Sequence, residues 1–395
     1  MRPHWPARPS VGPFREGSFT SSLHHEKVAA VLGAALGITF TACFVTGVLS
    51  HLIQDPPAWF HWPSRPAGLY RVTQGVHVVA GIASIPLLLA KLWVVYPKLF
   101  EWPPTRSVAH AVERLALLPL IGGGLFLAFT GVANINIWRP WEFGFRPGHY
   151  WAAWITMGAL AVHLGAKGTA TRTLLFPPSS EAAPDPTESG NEAEAVGLSR
   201  RGFLATAFGA SGFLTLFSIG QTVRPLRALA LIVPRRPDIG PQGLPVNRTA
   251  RSAGVVERAF DPGYRLVVDG AGARRPLALS LNEIRALPQY EAVLPIACVE
   301  GWSFEARWRG VRVRDLVEMA GGDKDAEARV HSFQRGDRLK TSDLNHSHTS
   351  DRDTLLALEV NGEALDVEHG YPLRLIGPNR PGVMQTKWVG RLEIL

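Results

Sequence analysis

Five long apolar stretches without charged residues dominate the first 223 residues of the chain: 28–54, 72–90, 115–138, 147–166 and 202–223. A helix needs about 20 apolar residues to cross a bilayer, so each stretch is long enough to be a transmembrane helix. A soluble core would not repeat this pattern five times. The pattern predicts an N-terminal all-α transmembrane bundle, with four helices in residues 28–172 and a fifth span in residues 199–223.

The basic residues that flank these stretches predict the orientation of the bundle. Residues 1–27 carry four basic side chains, and the link between the second and third stretches is also basic. Since short cytoplasmic loops carry an excess of Lys and Arg, we expect 1–27 to be a cytoplasmic tail and 173–198 a cytoplasmic linker. Residues 224–395 then lie outside the cytoplasm. The chain is predicted to be a multi-pass protein of the cytoplasmic membrane.

Residues 199–204 read Ser-Arg-Arg-Gly-Phe-Leu and lead directly into the fifth apolar stretch. This arrangement resembles a twin-arginine export signal placed inside the chain, and such signals are addresses that a receptor reads. The alternative is an ordinary anchor that is oriented by its positive charge. The preceding residues 177–197 are rich in Pro, Ser, Glu and Ala, a composition that argues for disorder.

After residue 224 charged residues become frequent and the apolar segments become short. Turn residues such as Asn361-Gly362 separate these segments. Residues 224–395 are therefore predicted to form a compact α+β domain rich in sheet. The predicted strands are 265–269, 292–297, 355–360, 373–376 and 391–395, and the predicted short helices are 281–286 and 313–320.

The formal net charge of +8 would suit a nucleic-acid-binding protein. The basic residues, however, are not gathered in one tract or on one helix face. Many of them end apolar stretches, where membrane topology requires positive charge. We therefore expect the lipid bilayer and a small-molecule substrate as partners, and no nucleic acid.

The two cysteines lie far apart in sequence, Cys43 in the first apolar stretch and Cys298 in the α+β domain. Two cysteines cannot build a disulfide framework. Cys298 directly follows the predicted strand 292–297, and rigid strand ends are good places to display a reactive group. On chemistry alone, a buried apolar cysteine is the alternative.

Four motifs resemble the sulfite-oxidase-type molybdopterin oxidoreductases: 298–303 (Cys-Val-Glu-Gly-Trp-Ser), 308–316, 369–376 (His-Gly-Tyr-Pro-Leu-Arg-Leu-Ile) and 387–393. The amino-acid sequence of these motifs is most similar to the branch of periplasmic methionine-sulfoxide reductase catalytic subunits. The resemblance implies a sulfite-oxidase-type fold and a molybdenum ion bound by one thiolate, with Cys298 as this catalytic ligand. Sulfite oxidases proper carry a different motif after the cysteine, and their further arginines for the sulfite anion cannot be placed in this sequence.

A pterin cofactor carries a phosphate and many ring donors and acceptors, so its site needs amides and cations. For each candidate residue an ordinary surface charge or a core tryptophan is the alternative. The candidate cofactor-binding residues are Asn247, Arg248, Trp302, Arg374, Arg380, Lys387 and Trp388.

Histidines inside a membrane span are functional candidates by default. His51, His77 and His149 lie at similar depth near the outer ends of three spans, so two of them could clamp a b-type haem. His163 follows His149 by fourteen residues and shares its helix face, as in di-haem b-type cytochromes. The residue fourteen after His77 is Lys91, so we expect at most one haem. The alternative is a cytochrome-like bundle that only anchors the domain.

Together these features predict a membrane-anchored, molybdenum-dependent oxidoreductase that transfers an oxygen atom outside the cytoplasm, with a preference for sulfoxide or N-oxide reduction. Electrons would pass between the site and the membrane, through haem b and to or from a membrane quinone or another redox partner. Two alternatives stay open. One is a sulfite dehydrogenase, and the other is a non-catalytic membrane-anchored binding module.

Overall fold

The computed structural model describes residues 5–138, 140–176, 198–233, 239–336 and 340–395. Its chain divides into two compact units. The first consists of Met1–Gly47 and His77–Leu216, and the second of Val48–Val76 and Phe217–Leu395. Most of the predicted linker 173–198 falls at 177–197, outside the described residues.

The described part of the first 220 residues contains five long helices, one for each predicted span. Four of the described ranges are long and apolar enough to cross a membrane: Glu26–Gln54, Leu69–Phe100, Val108–Ile135 and Arg200–Ile219. The helix that covers the predicted span 147–166 has 31 residues but is not among them, because polar positions such as His149 and His163 lower its mean hydropathy. The helices are α1 (Glu26–Gln54), α2 (Leu69–Val95), α3 (Val108–Ile135), α4 (Phe145–Leu175) and α5 (Arg200–Ile219).

Residues 250–395 contain two five-stranded sheets with short helices between the strands, which is the predicted α+β architecture. One sheet has the order β2-β1-β10-β5-β6, with β1 and β10 parallel, and the other has the order β3-β4-β7-β8 with β9 also paired to β7. The strands are β1 (Arg265–Asp269), β2 (Leu277–Ser280), β3 (Tyr290–Ala297), β4 (Ser303–Arg312), β5 (Ala328–Ser332), β6 (Thr341–Leu344), β7 (Leu355–Val360), β8 (Glu363–Ala364), β9 (Arg374–Ile376) and β10 (Val389–Ile394). The short helices are α6 (Ala250–Ala253), α7 (Val256–Ala259), α8 (Leu281–Ala286), α9 (Val313–Met319) and α10 (His346–Thr349).

The central strand β7 is buried on both faces because it separates two apolar cores. Leu356 belongs to one core and Leu355 to the other, as expected from the two-residue side-chain period of a strand. The neighbouring β4 passes very close to β7 at Gly310, where an added Cβ would lie 2.1 Å from the carbonyl oxygen of Leu356. A residue without a side chain is required there, and the ladder between the two strands shifts register at this point.

The segment between α1 and α2 packs against the sheet domain within the second unit, and Asn379 holds it. Asn379 is fully buried, and its backbone N donates to the carbonyl of Ala67 at 3.0 Å. Its Oδ1 accepts from the backbone N of Tyr70 at 2.7 Å, and its Nδ2 donates to the carbonyl of Pro63 at 2.7 Å. Its own carbonyl accepts from Trp62 Nε1 at 2.8 Å. The two backbone and two side-chain polar groups of Asn379 thus all form hydrogen bonds with this segment.

An ion pair adds to this attachment at the surface. The Arg65 guanidinium donates two hydrogen bonds to Asp351, each of 2.9 Å, and a third to Asp353. Burial raises the pKa of Asp351, but the hydrogen bonds from Arg65, the backbone of Asp353 and Ser64, together with the charge of Arg65, hold this pKa below its usual range. Residues 55–68 are thus attached to the sheet domain within the second unit, and the side of the membrane on which they lie stays a prediction.

We expect Asn379→Gly to lower the free energy of unfolding of the sheet domain by roughly 1–3 kcal/mol, because it leaves the buried backbone N of Tyr70 without its partner and removes the part-buried bond to the carbonyl of Pro63. Glycine tolerates the positive φ of 54° at this position, so backbone strain does not contribute. Thermal unfolding of the purified full chain in detergent measures the loss. Asn361→Gly is the matched control, since Asn361 has a φ of 53° but lies exposed in a turn. Equal losses in the two variants would contradict the attachment role.

Candidate functional site

The thiol of Cys298 lies at the end of β3, in a tight turn that the backbone itself closes. Cys298 is 1% exposed, and its N donates to the carbonyl of Trp302 at 2.9 Å. Gly301 has a φ of 94°, which lies in the left-handed region that favours glycine. Thr222, which follows α5, donates its hydroxyl to the carbonyl of Gly301 at 2.6 Å. The turn is therefore held by one hydrogen bond within it and by another from Thr222.

A cavity beside Cys298 gathers apolar, amide and cationic side chains from distant parts of the sequence. Four of the predicted cofactor-binding residues line it, namely Asn247, Trp302, Arg374 and Lys387. The other lining residues were not among the predicted cofactor-binding residues. They are Leu244, Pro245, Ile296, His369 and Gly382.

Arg374 is buried in the wall of this cavity, and its guanidinium group is only partly hydrogen-bonded. Its Nη1 donates to the carbonyl of His369 at 3.0 Å, and the guanidinium lies 5.4 Å from the centre of the Trp308 ring. Its Nε is buried and has no hydrogen-bond partner in the described part of the chain. Burial lowers the pKa of Arg374 to about 10, so the side chain is still a cation at neutral pH.

Lys387 brings a second buried nitrogen to the same wall. Its Nζ donates to the carbonyls of Arg248 at 2.8 Å and Glu368 at 2.9 Å, and it forms no salt bridge within the described ranges. Burial, with a smaller contribution from Arg374, lowers the pKa of Lys387 to about 7. The exclusion of water and the nearby guanidinium of Arg374 thus outweigh the opposing effect of Glu368 on the Lys387 amine.

His369 contributes a neutral ring to the cavity. Its Nε2 lies 2.7 Å from the carbonyl oxygen of Pro241, and since a carbonyl only accepts, Nε2 carries the proton. Burial, followed by the charge of Arg374, lowers the pKa of His369 to about 4. Its Nδ1 is thus a hydrogen-bond acceptor at neutral pH rather than a second donor.

Three predicted residues lie behind the cavity wall rather than in it. Trp388 is a core residue whose Nε1 donates to the carbonyl of Val367 at 2.8 Å. Arg380 is buried and donates to the carbonyl of Asp343 at 2.9 Å. Arg248 contributes its carbonyl to Lys387 while its side chain points to a surface loop. Their contacts support the wall, and sequence alone could not separate support from lining.

The rings of two histidines of the first unit lie edge to face within the helices. The ring centroids of His77 and His149 lie 6.3 Å apart. The Nδ1 of His77 lies 2.9 Å from the carbonyl oxygen of Cys43, and the Nδ1 of His149 lies 2.9 Å from Thr130 Oγ1. Since Thr130 donates its own proton to Phe126, its oxygen accepts from His149. In both rings Nδ1 is thus the donor, and Nε2 keeps its lone pair.

That separation suits a metal held between two imidazoles. With metal–nitrogen distances of about 2.0–2.1 Å on each side, two such rings have centroids about 6 Å apart. The third histidine proposed from sequence, His51, lies on α1 with Nδ1 3.8 Å from Asp55 Oδ2. Of the three histidines predicted from sequence, His77 and His149 are thus the two whose rings lie together.

Comparison with known proteins identifies the sheet domain. Residues 253–395 match the family model of the oxidoreductase molybdopterin binding domain. The chain is 31% identical over 163 residues to human mitochondrial sulfite oxidase (34% of this chain, 30% of that protein). It is 36% identical over 119 residues to the uncharacterized oxidoreductase YuiH of Bacillus subtilis (30% and 59%). The C-terminal region is thus a molybdopterin-binding oxidoreductase domain of the sulfite-oxidase type.

Two further similarities extend over similar lengths. The chain is 32% identical over 131 residues to YedZ1 of Azospira oryzae, whose name describes it as a putative protein-methionine-sulfoxide reductase subunit (33% of this chain, 48% of that protein). Among solved structures, the sulfane dehydrogenase SoxCD from Paracoccus pantotrophus matches 38% of this chain and 40% of its own, with a TM-score of 0.31 and 23% identity. The chain therefore spans about 30–60% of the length of the relatives it matches.

The residues around Cys298 fit a molybdopterin. The thiol supplies the soft ligand that a dithiolene-bound molybdenum takes, and Asn247 supplies an amide for the pterin ring. The unpartnered Nε of Arg374 and the amine of Lys387 lack the anion that a pterin phosphate would provide. The donor set and the orphaned guanidinium atom are thus explained by one ligand.

We expect Arg374→Met to lose the cofactor, whereas Arg380→Met keeps it. Both arginines are buried and have an Nε without a partner, but the first lines the cavity and the second does not. Removal of the phosphate partner should reduce cofactor occupancy about tenfold or more, by analogy with lost support of a metal site. Pterin and molybdenum content of the two purified variants gives the answer. Similar losses in both would show that Arg374 acts through folding alone.

Proposed function

We propose that the chain is a membrane-anchored, molybdenum-dependent oxidoreductase that reduces a sulfoxide or an N-oxide. The observation that carries the proposal is the cavity itself. It combines the Cys298 thiol with two buried basic side chains, Arg374 and Lys387, that have no salt-bridge partner among the described residues. A binding module without catalysis would have no use for a thiol held at the end of a rigid strand.

Cys298 would hold the molybdenum, Arg374 and Lys387 would hold the phosphate of the pterin, and Asn247 would bind its ring edge. When bound, this group supplies two-electron oxygen-atom transfer. The chain's own residues do the remaining work. Leu244, Ile296 and Trp302 exclude water from the cavity wall, and the neutral His369 ring leaves an acceptor on it. Reduction of a sulfoxide consumes two electrons and two protons and releases one water.

The charges around the domain favour an uncharged substrate over sulfite. Three arginines on or after β4 are already paired: Arg307 with Glu291 at 3.7 Å, Arg309 with Glu359 at 3.0 Å and Arg314 with Asp315 at 3.4 Å. With Arg374 and Lys387 assigned to the phosphate, no further cation is left on the described cavity wall. A sulfite dianion would need one. Sulfite oxidation is the second candidate, because the domain is similar to that of sulfite oxidases.

The helices would supply the electrons. A haem b between His77 and His149 is supported by their facing rings and by the acceptor that each Nδ1 has. Histidine pairs hold haem iron in electron-transfer proteins. A membrane quinol is the proposed donor, and it would give up two electrons and two protons as it is oxidised to the quinone. We further propose that residues 199–223 act as the export signal and anchor, and that residues 224–395 lie outside the cytoplasm.

The purified full chain should contain about one molybdenum per chain, and Cys298→Ser should contain almost none. The serine oxygen is a harder and more weakly donating ligand than a thiolate. Reduced viologen with a sulfoxide, an N-oxide or, in the reverse direction, sulfite with an artificial acceptor identifies the reaction. Turnover of a sulfoxide or N-oxide but not sulfite is expected. Sulfite turnover would establish the second candidate, and protein that takes up no molybdenum in a competent host would refute the proposal.

Haem should be lost in His77→Ala and in His149→Ala, and retained in His51→Ala. Removal of either axial ligand leaves iron with one imidazole, whereas His51 is not part of the facing pair. The pyridine haemochrome spectrum measures haem per chain in each variant. Retained haem in His149→Ala together with loss in His51→Ala would exclude the assigned pair.

A further inference from the structure

The haem-binding pair of the first unit has a second, similar level deeper in the same helices. On α4, His163 follows His149 by fourteen residues, and on α2, Lys91 follows His77 by fourteen residues. Fourteen residues are nearly four helical turns and about 21 Å along the axis, so each deeper residue lies on the same helix face as the upper one. Both helices thus repeat the same positions at the same interval.

Helix α1 also has matching residues fourteen positions apart, namely a glycine at each of the two levels. A Cβ added at Gly47 would lie 3.1 Å from Cε1 of His77. A Cβ added at Gly33, fourteen residues earlier, would lie 3.1 Å from Nζ of Lys91. Each level therefore places a glycine of α1 against the functional residue of α2. Three helices share the interval, which is evidence for two equivalent levels rather than a coincidence on one helix.

The two levels differ in the hydrogen-bond partners of their side-chain nitrogen atoms. In the upper level a backbone carbonyl and the Thr130 hydroxyl fix the Nδ1 of the two histidines. In the lower level the Nδ1 of His163 is buried and has no hydrogen-bond partner within the described residues. Lys91 interacts electrostatically with His163 and donates from Nζ to the carbonyl of Ala29 on α1. The lower level thus has one imidazole and, opposite it, an ammonium group that is engaged elsewhere.

We infer that Lys91 occupies a ligand position of a second haem level and is the residue that limits the chain to one haem. The inference rests on the proposed haem between His77 and His149. A protonated amine has no lone pair for iron, and its positive charge opposes a ferric haem nearby. His163 alone gives a single axial ligand. A histidine in place of Lys91 restores the pair at the spacing that α2 and α4 already have.

The test is haem stoichiometry in the full chain, saturated with haemin during purification. Wild type is expected to hold one haem per chain, and Lys91→His two, with a second bis-imidazole signal in the low-spin electron paramagnetic resonance spectrum. The double variant Lys91→His, His163→Ala should return to one haem. Lys91→Met removes the charge without adding a ligand and should stay at one, which separates ligation from the effect of charge.

Each outcome decides the matter. A wild type with two haems, or a folded Lys91→His variant that stays at one, overturns the inference. A second haem in Lys91→Met would show that charge rather than ligation is limiting, and would also overturn it. A wild type with no haem at all instead refutes the proposed role of His77 and His149. Thermal unfolding of every variant establishes that a lost haem is not lost structure.

Discussion

Two basic side chains, Arg374 and Lys387, are buried in one cavity without a salt bridge in the described part of the chain, and the site depends on this arrangement. Burial of positive charge costs free energy unless an anion offsets it. The protein keeps both residues in place through β9, β10 and the short loops between them. The phosphate of the proposed cofactor would offset the cost and would couple the fold of this region to the retention of that cofactor.

Much of the sheet domain follows from local sequence, and the rest follows from contacts that sequence does not show. Strands at 265–269 and 355–360 and the helix at 281–286 were predicted with the bounds that the structure has. The ten-residue strand β4 is not among the predicted strands, because its alternating arginines look like a polar edge while its other face is buried. The attachment of the segment 55–68 to Asn379 spans more than 300 residues of sequence, and no periodicity or turn signal encodes such a contact.

Some residues of the candidate site could likewise be predicted from local sequence, and others could not. Cys298 could be singled out because a cysteine at a strand end, inside a recognisable motif, carries chemistry that few residue types supply. Leu244, Pro245 and Gly382 line the cavity but have no such chemistry, so their positions emerge only from the fold. Trp388 lies next to Lys387 in sequence, yet its ring is in the core while the lysine faces the cavity. Both residues precede β10, and Trp388 has a positive φ of 55°, so a turn of the backbone rather than strand alternation separates the two side chains.

The most direct test of the central claim is X-ray absorption at the molybdenum edge, comparing the wild type with a Cys298→Ser variant reconstituted with excess cofactor. If Cys298 is the protein ligand, the wild-type metal has one more sulfur neighbour than the dithiolene supplies, and the variant loses that single neighbour while its dithiolene sulfurs remain. An identical number of sulfur neighbours in the two proteins would contradict the account, because the thiol at the end of β3 would then not touch the metal.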